Sequence, residues 1–496
     1  MATSIALQAL PSELIGAICR PLPNRDIKSL RLTCRYWSQN SFLRFDRVFI
    51  SASPRNVEVL FAVANHDIFR HRVKEIMWDD AVLEPVSSKE GDGPCGYSSY
   101  ETDRDADSGE KGRISRHFVR LCRDSMFDGT LRLRDKTKEE REKYMKGQMN
   151  DLLPSRESLA YYSRLLQEQS DILESGDDEA ALRYAVQRFP RLTKVTVTPA
   201  THGVLITPLY ETPMVRGFPR GFVYPIPRGW SCAENEHLAE EANPWETEDE
   251  KNKWRGFRIV TRVLAQAENC QISELVLDNN KLPTGLNHFV FEEPNEEYDN
   301  LCRIVQRPGF RRIVLSLLVD YLFDCDTEDW DFYRNGRISN LLAIAPDLQE
   351  VVLKTDYPVD ATSWSGRMKD FVSLTNIFPI DKWSSGGLKH FGLSEMQVTQ
   401  DDLICFLSKL SSKLQSIELS LLSVLNGQGN HAGILADIRD KLGWRHRPVD
   451  KRIKIRLPVT LNQPDFGRYT CFDKEVHECI YGDVPPPFGV DERGGS

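Results

Sequence analysis

Asp324, Asp326, Glu328, Asp329 and Asp331, with Trp330 among them, are the nearest approach to a carboxylate site in the chain. Calcium loops need acidic ligands at alternate positions, a glycine at the sharp turn and a closing bidentate glutamate. The glycine and the closing glutamate are missing here, so the pattern predicts an acidic solvated loop, with a recognition loop as the alternative. Charge of the opposite sign gathers at Arg445, His446, Arg447, Lys451, Arg452, Lys454 and Arg456, around Ile453 and Ile455. The alternation of those two isoleucines with charged residues predicts an edge strand. Its cations either discourage strand-to-strand association, or meet an acidic or phosphorylated partner through guanidinium forks, or contact nucleic acid.

Other chemistry is not signalled. No glycine-rich phosphate loop follows a strand, and neither His-Glu-x-x-His nor Gly-x-Ser-x-Gly occurs. The ten histidines do not cluster at ligand spacing. Eleven cysteines lie scattered from Cys19 to Cys479 without a Cys-x-x-Cys, the pattern of reduced intracellular thiols and not of a disulfide framework or a zinc site. The expectation is a protein without catalytic residues, metal or cofactor. A net charge of -9 over 496 residues repels phosphate backbones overall, so bulk nucleic-acid binding is not expected. The start, MATSIALQALPSEL, lacks a signal peptide's basic and apolar regions, and no segment supplies about 20 uncharged apolar residues for a membrane span. That predicts a soluble protein of the cytoplasm or nucleus.

The elements that would position any site follow a repeated phrase, apolar-x-x-apolar-x-apolar. It occurs as Val73/Ile76/Trp78, Leu192/Val195/Val197, Ile272/Leu275/Leu277, Phe310/Ile313/Leu315, Leu348/Val351/Leu353, Leu388/Phe391/Leu393 and Leu414/Ile417/Leu419. From residue 272 onward the starts are 38, 38, 40 and 26 residues apart, and the earlier gap of 80 leaves room for one divergent unit. Helical patterns precede several copies: ALRYAVQRF, FRIVTRVLAQA, ISNLLAIAP and DDLICFLSKLSS. A helix–strand unit that cannot bury its own faces must stack on its neighbours, so the pattern predicts an α/β solenoid. An ordinary α/β domain with buried parallel strands would read the same way along each strand. The phrase resembles the core of leucine-rich repeats, and Ile272-x-x-Leu275-x-Leu277-x-x-Asn280 is its best copy. The resemblance implies that the Asn280 side chain satisfies backbone groups at the turn leaving the strand.

Near the start, LPSELIGAICRPLPNRDIKSLRLTCRYW (10–37) carries more apolar surface than so short a segment can bury. Pro11 suits a helix's first turn, and Leu14, Ile15 and Ile18 follow at helical spacing. Pro21 and Pro23 end that helix, Asn24 is placed to cap the next, and Ile27, Leu30 and Cys34 share one stripe from which Leu32 and Trp37 depart. On periodicity alone this is a helical hairpin packed on the following domain.

The order and spacing of Leu10-Pro11, Glu13-Leu14, Leu22-Pro23-Asn24-Arg25-Asp26 and Arg31-Leu32-Thr33-Cys34-Arg35-Tyr36-Trp37 resemble an F-box. Phe49-Ile50 and residues 57–80 extend the likeness toward a group of fungal F-box proteins. The resemblance implies a three-helix module that binds the adaptor subunit of cullin-type ubiquitin ligases. Leu10, Pro11, Leu14, Ile15, Ile18, Leu22, Ile27, Leu30, Leu32, Cys34 and Trp37 would then make up the adaptor-facing surface and the module's small core. The expected fold class is α/β, an N-terminal three-helix F-box module followed by an irregular leucine-rich-repeat-like solenoid. Its expected divisions are an F-box (5–50), a linker and first repeat-like strand (51–84), a disordered loop (85–113), a repeat-like substrate-binding domain (114–480) and a flexible tail (481–496). Within the long domain, 131–150 read as a solvated helix and 207–250 as an insertion on the rim. The implied function is substrate recognition for a cullin-type ubiquitin ligase, with the adaptor and an unidentified protein substrate as partners and no membrane. A repeat scaffold or interaction module outside any ligase is the alternative.

Overall fold

The computed structural model describes residues 10–22, 24–43, 45–86, 116–132, 152–203, 208–227, 229–231, 242–268, 270–280, 282, 284–318, 331–356, 371–383, 386–410, 412–459 and 470–487. Most of the expected loop at 85–113, most of the charged helix at 131–150, part of the 207–250 stretch, the carboxylates from Asp324 to Asp329 and most of the tail lie outside the described residues.

Three helices come first: α1 (Ser12–Cys19), α2 (Asn24–Thr33) and α3 (Arg35–Asn40). Nine strands then assemble in chain order, every neighbouring pair parallel. They are β1 (Arg47–Ile50), β2 (Glu75–Asp79), β3 (Lys194–Thr198), β4 (Glu274–Leu277), β5 (Arg312–Leu317), β6 (Glu350–Thr355), β7 (His390–Ser394), β8 (Ser416–Ser420) and β9 (Lys454–Arg456). Parallel neighbours need long crossovers, and helices supply them. The principal ones are α4 (Pro54–Ala64), α5 (Arg116–Arg132), α6 (Ser155–Ser175), α7 (Asp177–Arg188), α8 (Arg255–Gln266), α9 (Glu296–Val305), α10 (Arg337–Ala343), α11 (Gln400–Ser408) and α12 (His431–Lys441). A last helix, α13 (Asp473–Tyr481), packs on β9.

Period-2 alternation decides what each face of the sheet carries. One register row reads Ile76, Val195, Leu275, Ile313, Val351, Phe391, Ile417 and Ile455, and all eight are buried. The next apolar row, from Trp78 through Val197, Leu277, Leu315, Leu353 and Leu393 to Leu419, is buried too. Helices α4, α7, α8, α9, α10, α11 and α12 close this face into one continuous apolar core. Local sequence sets their starts: the side chains of Asn295, Thr399 and Asn430 accept from the backbone N–H of Tyr298, Asp402 and Gly433. Between α6 and α7 the chain turns at Gly176, whose φ of 70° lies in the left-handed region that glycine adopts without strain.

This layout corrects the expected fold class. The chain is an α/β protein with one nine-stranded parallel sheet joined by helical crossovers, in place of a three-helix F-box module followed by a leucine-rich-repeat-like solenoid. The apolar phrase marked buried strands correctly, because all seven copies fall on β2–β8. It could not say what the strands build, since any parallel strand with a buried face reads alike. Across the 80-residue gap β3 pairs directly with β4, so among the described residues no strand stands between them in the sheet. The described part of the 207–250 stretch, expected as an insertion on the rim, is packed into the fold. Phe222 and Tyr224 join a second apolar cluster with Leu83, Phe118, Tyr162 and Leu165, while Trp230 and Trp245 enter the main core.

Candidate functional site

The first site candidate is the outer face of the three N-terminal helices. Their own core is small: Ile15, Cys19, Ile27 and Trp37 are buried, with Leu10, Leu22, Leu30, Cys34, Tyr36 and Leu43 packed half-buried around them. Residues four apart share a helix face, so Ile15 and Cys19 turn inward together while Leu14 and Ile18 turn outward. Leu14 is 50% exposed, Ile18 42% and Leu32 88%. Phe42 is exposed as well, and the Arg72 guanidinium lies 4.6 Å from its ring centroid. The Tyr36 hydroxyl donates to the Leu10 carbonyl at 3.2 Å and ties α3 to the segment leading into α1.

The eleven residues assigned by resemblance to an adaptor surface and core therefore divide. Ile15, Ile27 and Trp37 are core; Leu10, Leu22, Leu30 and Cys34 are half-buried; Pro11, Leu14, Ile18 and Leu32 face outward. Cys19 is a core member that the sequence reading left out. Its place four residues after Ile15 was the available signal.

The second candidate is the sheet face opposite the helices. The residues opening the strands form one register row: Arg47, Glu75, Lys194, Glu274, Arg312, Glu350, His390, Ser416 and Lys454. Charge alternates along it. Glu75 pairs with Arg47 at 2.7 Å and with Lys194 at 3.1 Å; Arg312 pairs with Glu274 at 3.6 Å and with Glu350 at 3.3 Å. Burial raises the proton affinity of Glu75, but the hydrogen bonds from Arg47 and Thr196 and the charge of Lys194 outweigh it and hold its carboxyl below the usual range. At the far end the Nδ1 of His390 lies 2.8 Å from the Ser416 hydroxyl. Burial pushes the His390 imidazole below its ordinary value, with the charges of Arg312 and Arg456 acting in the same direction and those of Glu350 and Glu418 opposing.

At the carboxyl ends of the later strands the face holds a cavity of 110 Å³, lined by Asn279, Lys354, Glu395, Glu418, Ser420 and Arg456 among others. Lys354 meets Asp278 at 2.9 Å and Arg456 meets Glu418 at 3.2 Å. Glu395 and Leu421 both sit at positive φ, 54° and 51°, directly after β7 and β8. Side chains at such φ cost about 1–2 kcal/mol each, and here the backbone N–H groups of Glu395 and Leu421 continue the ladder to Ser420 and Pro458. Asn280 has φ 50°, and its amide donates to Thr198 Oγ1 and to the Asp278 carbonyl. The turn itself is held by the neighbouring Asn279, whose buried amide donates to the carbonyls of Leu282 and Thr284 at 2.9 Å each. Asn280, of which this work had been expected, shares it through its bond to the Asp278 carbonyl.

A buried polar cluster gathers at the carboxyl end of β2. The Asp80 carboxylate accepts from the Gly256 N–H at 2.7 Å, from the Trp230 indole at 2.9 Å and from the Trp78 indole at 3.3 Å. A Cβ on Gly256 would come within 2.4 Å of Asp80 Oδ1, so only glycine allows that approach. Asp79, at the end of β2, lies 3.8 Å from His202 Nε2, and His202 Nδ1 lies 3.0 Å from the Tyr224 hydroxyl. Burial pushes the Asp79 carboxyl up to about 7, against its hydrogen-bond donors and with the neighbouring Asp80 charge adding to the rise. Sequence reasoning missed this cluster because its members come from two segments far apart in the chain, the end of β2 and the single crossover between β3 and β4. Its ties anchor the 199–231 segment to the sheet.

The predicted edge strand is β9: Ile453 and Ile455 are buried while Lys454 and Arg456 face out. Its backbone is partly covered, because the Tyr481 hydroxyl donates to the Ile453 carbonyl at 3.0 Å and accepts from the Ile453 N–H at 2.9 Å. Among the described residues no group of three or more His, Cys, Asp or Glu side chains is placed to hold a metal ion, and no helix is long and apolar enough to cross a membrane. Comparison with known proteins finds no matching family model and no characterised protein similar in sequence.

Proposed function

We propose that this chain is a substrate-recognition subunit of a cullin-type ubiquitin ligase, acting in the cytoplasm or nucleus. The N-terminal helices dock the ligase's adaptor, and the α/β body holds a target protein. The mechanism is tethering: two binding surfaces on one chain raise the effective concentration of the target's lysines near the ubiquitin-charged enzyme. No group of this chain takes part in the bond making.

The observation that carries the reading is the exposure of Leu14, Ile18 and Leu32 beside a core that is complete without them. Had the segment been a hairpin packed on the body, these side chains would be covered by residues 49–80. Instead they sit within the stretch Leu10–Trp37 that resembles the F-box, and an exposed apolar group of this kind marks a docking surface.

Co-purification of the recombinant adaptor with wild type and with a Leu14→Asp/Ile18→Asp variant tests it. Both positions face water, so the variant keeps the wild-type circular dichroism spectrum while adaptor recovery falls at least tenfold. Equal recovery from a folded variant sinks the reading.

A further inference from the structure

The charged row across the sheet runs Arg47, Glu75, Lys194, Glu274, Arg312, Glu350, and so alternates in sign for six strands. Like charges directly opposite destabilise a sheet and unlike charges support it, so each cation in the series has a carboxylate beside it. The rule breaks at Ser416, which stands between His390 and Lys454. By the alternation Ser416 occupies an acidic position, between an imidazole 2.8 Å from its hydroxyl and the exposed Lys454. Further cations precede the strands, while Glu418, two residues along β8, is already paired with Arg456. Lys389 and Lys413 stand just before β7 and β8, and Lys451 and Arg452 just before β9. Edge protection accounts for Lys454 and Arg456 on β9, but not for cations at the starts of three successive strands.

We propose that the amino end of β7–β9 docks an acidic segment of a partner protein, one of whose carboxylates settles over Ser416 between His390 and Lys454. The carboxylate completes the alternation: it accepts from the Ser416 hydroxyl and meets the Lys454 ammonium. The small Ser416 side chain leaves room where a glutamate would fill the position. Lys389 and Lys451 draw further acidic residues by charges that salt screens. The inference rests on the reading above only in taking that partner to be the ligase target; the site itself does not depend on the adaptor.

The test measures anisotropy of a fluorescein-labelled peptide, Gly-Glu-Ser-Glu-Gly-Glu-Ser, against the full chain at low and high salt. Matching peptides carry lysine, or phosphoserine, in place of glutamate. The acidic peptide binds and weakens with salt, and the lysine peptide does not bind. Ser416→Asp supplies the carboxylate from within and lowers affinity at least tenfold, as does Lys454→Glu, whereas Ser416→Ala stays within twofold. Leu14→Asp leaves peptide binding unchanged while removing the adaptor, so failure of the ligase reading and failure of this site give different results. Circular dichroism confirms that each variant is folded. No binding of the acidic peptide, equal binding of the lysine peptide, equal affinity of Ser416→Asp and wild type, or tenfold tighter binding of the phosphoserine peptide would each overturn the proposal.

Discussion

Leu32 on α2 is 88% exposed, whereas Phe391 on β7 is fully enclosed by the rings of Phe378, Trp383 and Phe406. The two residues typify their regions. The sheet body closes each apolar row against helices and turns its remaining face into a paired charge ladder. The N-terminal helices assemble a core of four buried residues and leave leucines outside it. Fewer than about 40 residues rarely sustain a core alone, so the helices rely on neighbours in a way the body does not. The difference teaches where the fold leaves apolar surface uncovered and where it closes on itself.

The strongest way to break that contrast is to open a cavity in each region. Phe391→Ala removes a ring from the continuous core and costs about 3–5 kcal/mol, a large part of the stability a domain commonly has. Urea unfolding should show a lower midpoint for the whole α/β body. Trp37→Ala should act differently, collapsing the amide shift dispersion of the N-terminal helices while the body's near-ultraviolet spectrum and midpoint persist. A common loss of both regions in either variant would show that the two cores are one cooperative unit.

How much of this was legible beforehand differs between the same regions. Every apolar phrase landed on a strand, because burial on one face imposes alternation that a sequence displays directly. The charged row was equally present in the sequence, as the residue just before the second apolar of each phrase: Glu75, Lys194, Glu274, Arg312, Glu350, His390 and Ser416. Its meaning needed register, which only strand pairing fixes. Asp79, Asp80, His202 and Tyr224 could not be found this way, since the end of β2 and the β3–β4 crossover meet only after the chain folds. For the N-terminal helices the spacing identified apolar residues, yet the division into inward Ile15 and Trp37 and outward Leu14 and Leu32 follows from how the helices cross.

Titration sharpens the contrast next, because the body holds a buried carboxylate and the small core of the helices holds none. Asp79 titrates near 7 in the folded chain and at an ordinary 3.8 when unfolded. Between those values the unfolded chain gives up a proton that the folded chain keeps, so stability falls as pH rises, by at most about 1.4 kcal/mol per unit. Above 7 both states are ionised and the contribution levels off. Asp79→Asn should flatten this part of the profile and unfold later than wild type at pH 8. His202, Asp80 and the Ala81 N–H face the same carboxyl, so His202→Gln serves to separate the imidazole's own titration. An unchanged pH profile in Asp79→Asn would mean that another group carries it.

The smallest effect on folding is expected at Leu32, and it bears most directly on what the exposed leucines are for. A side chain so open to water contributes little to the folded state, so Leu32→Asp should move the unfolding midpoint by less than about 0.5 kcal/mol. If the outward face of α1 and α2 exists to meet a partner, the same substitution should still weaken adaptor capture, because a buried carboxylate at an apolar interface goes unpaired. Leu32→Met, which keeps the apolar surface, should restore capture. Stability and binding then separate at a single position. A variant that loses stability along with binding would instead place Leu32 in the packing of the helices, and the exposed leucines would no longer distinguish this region from the body.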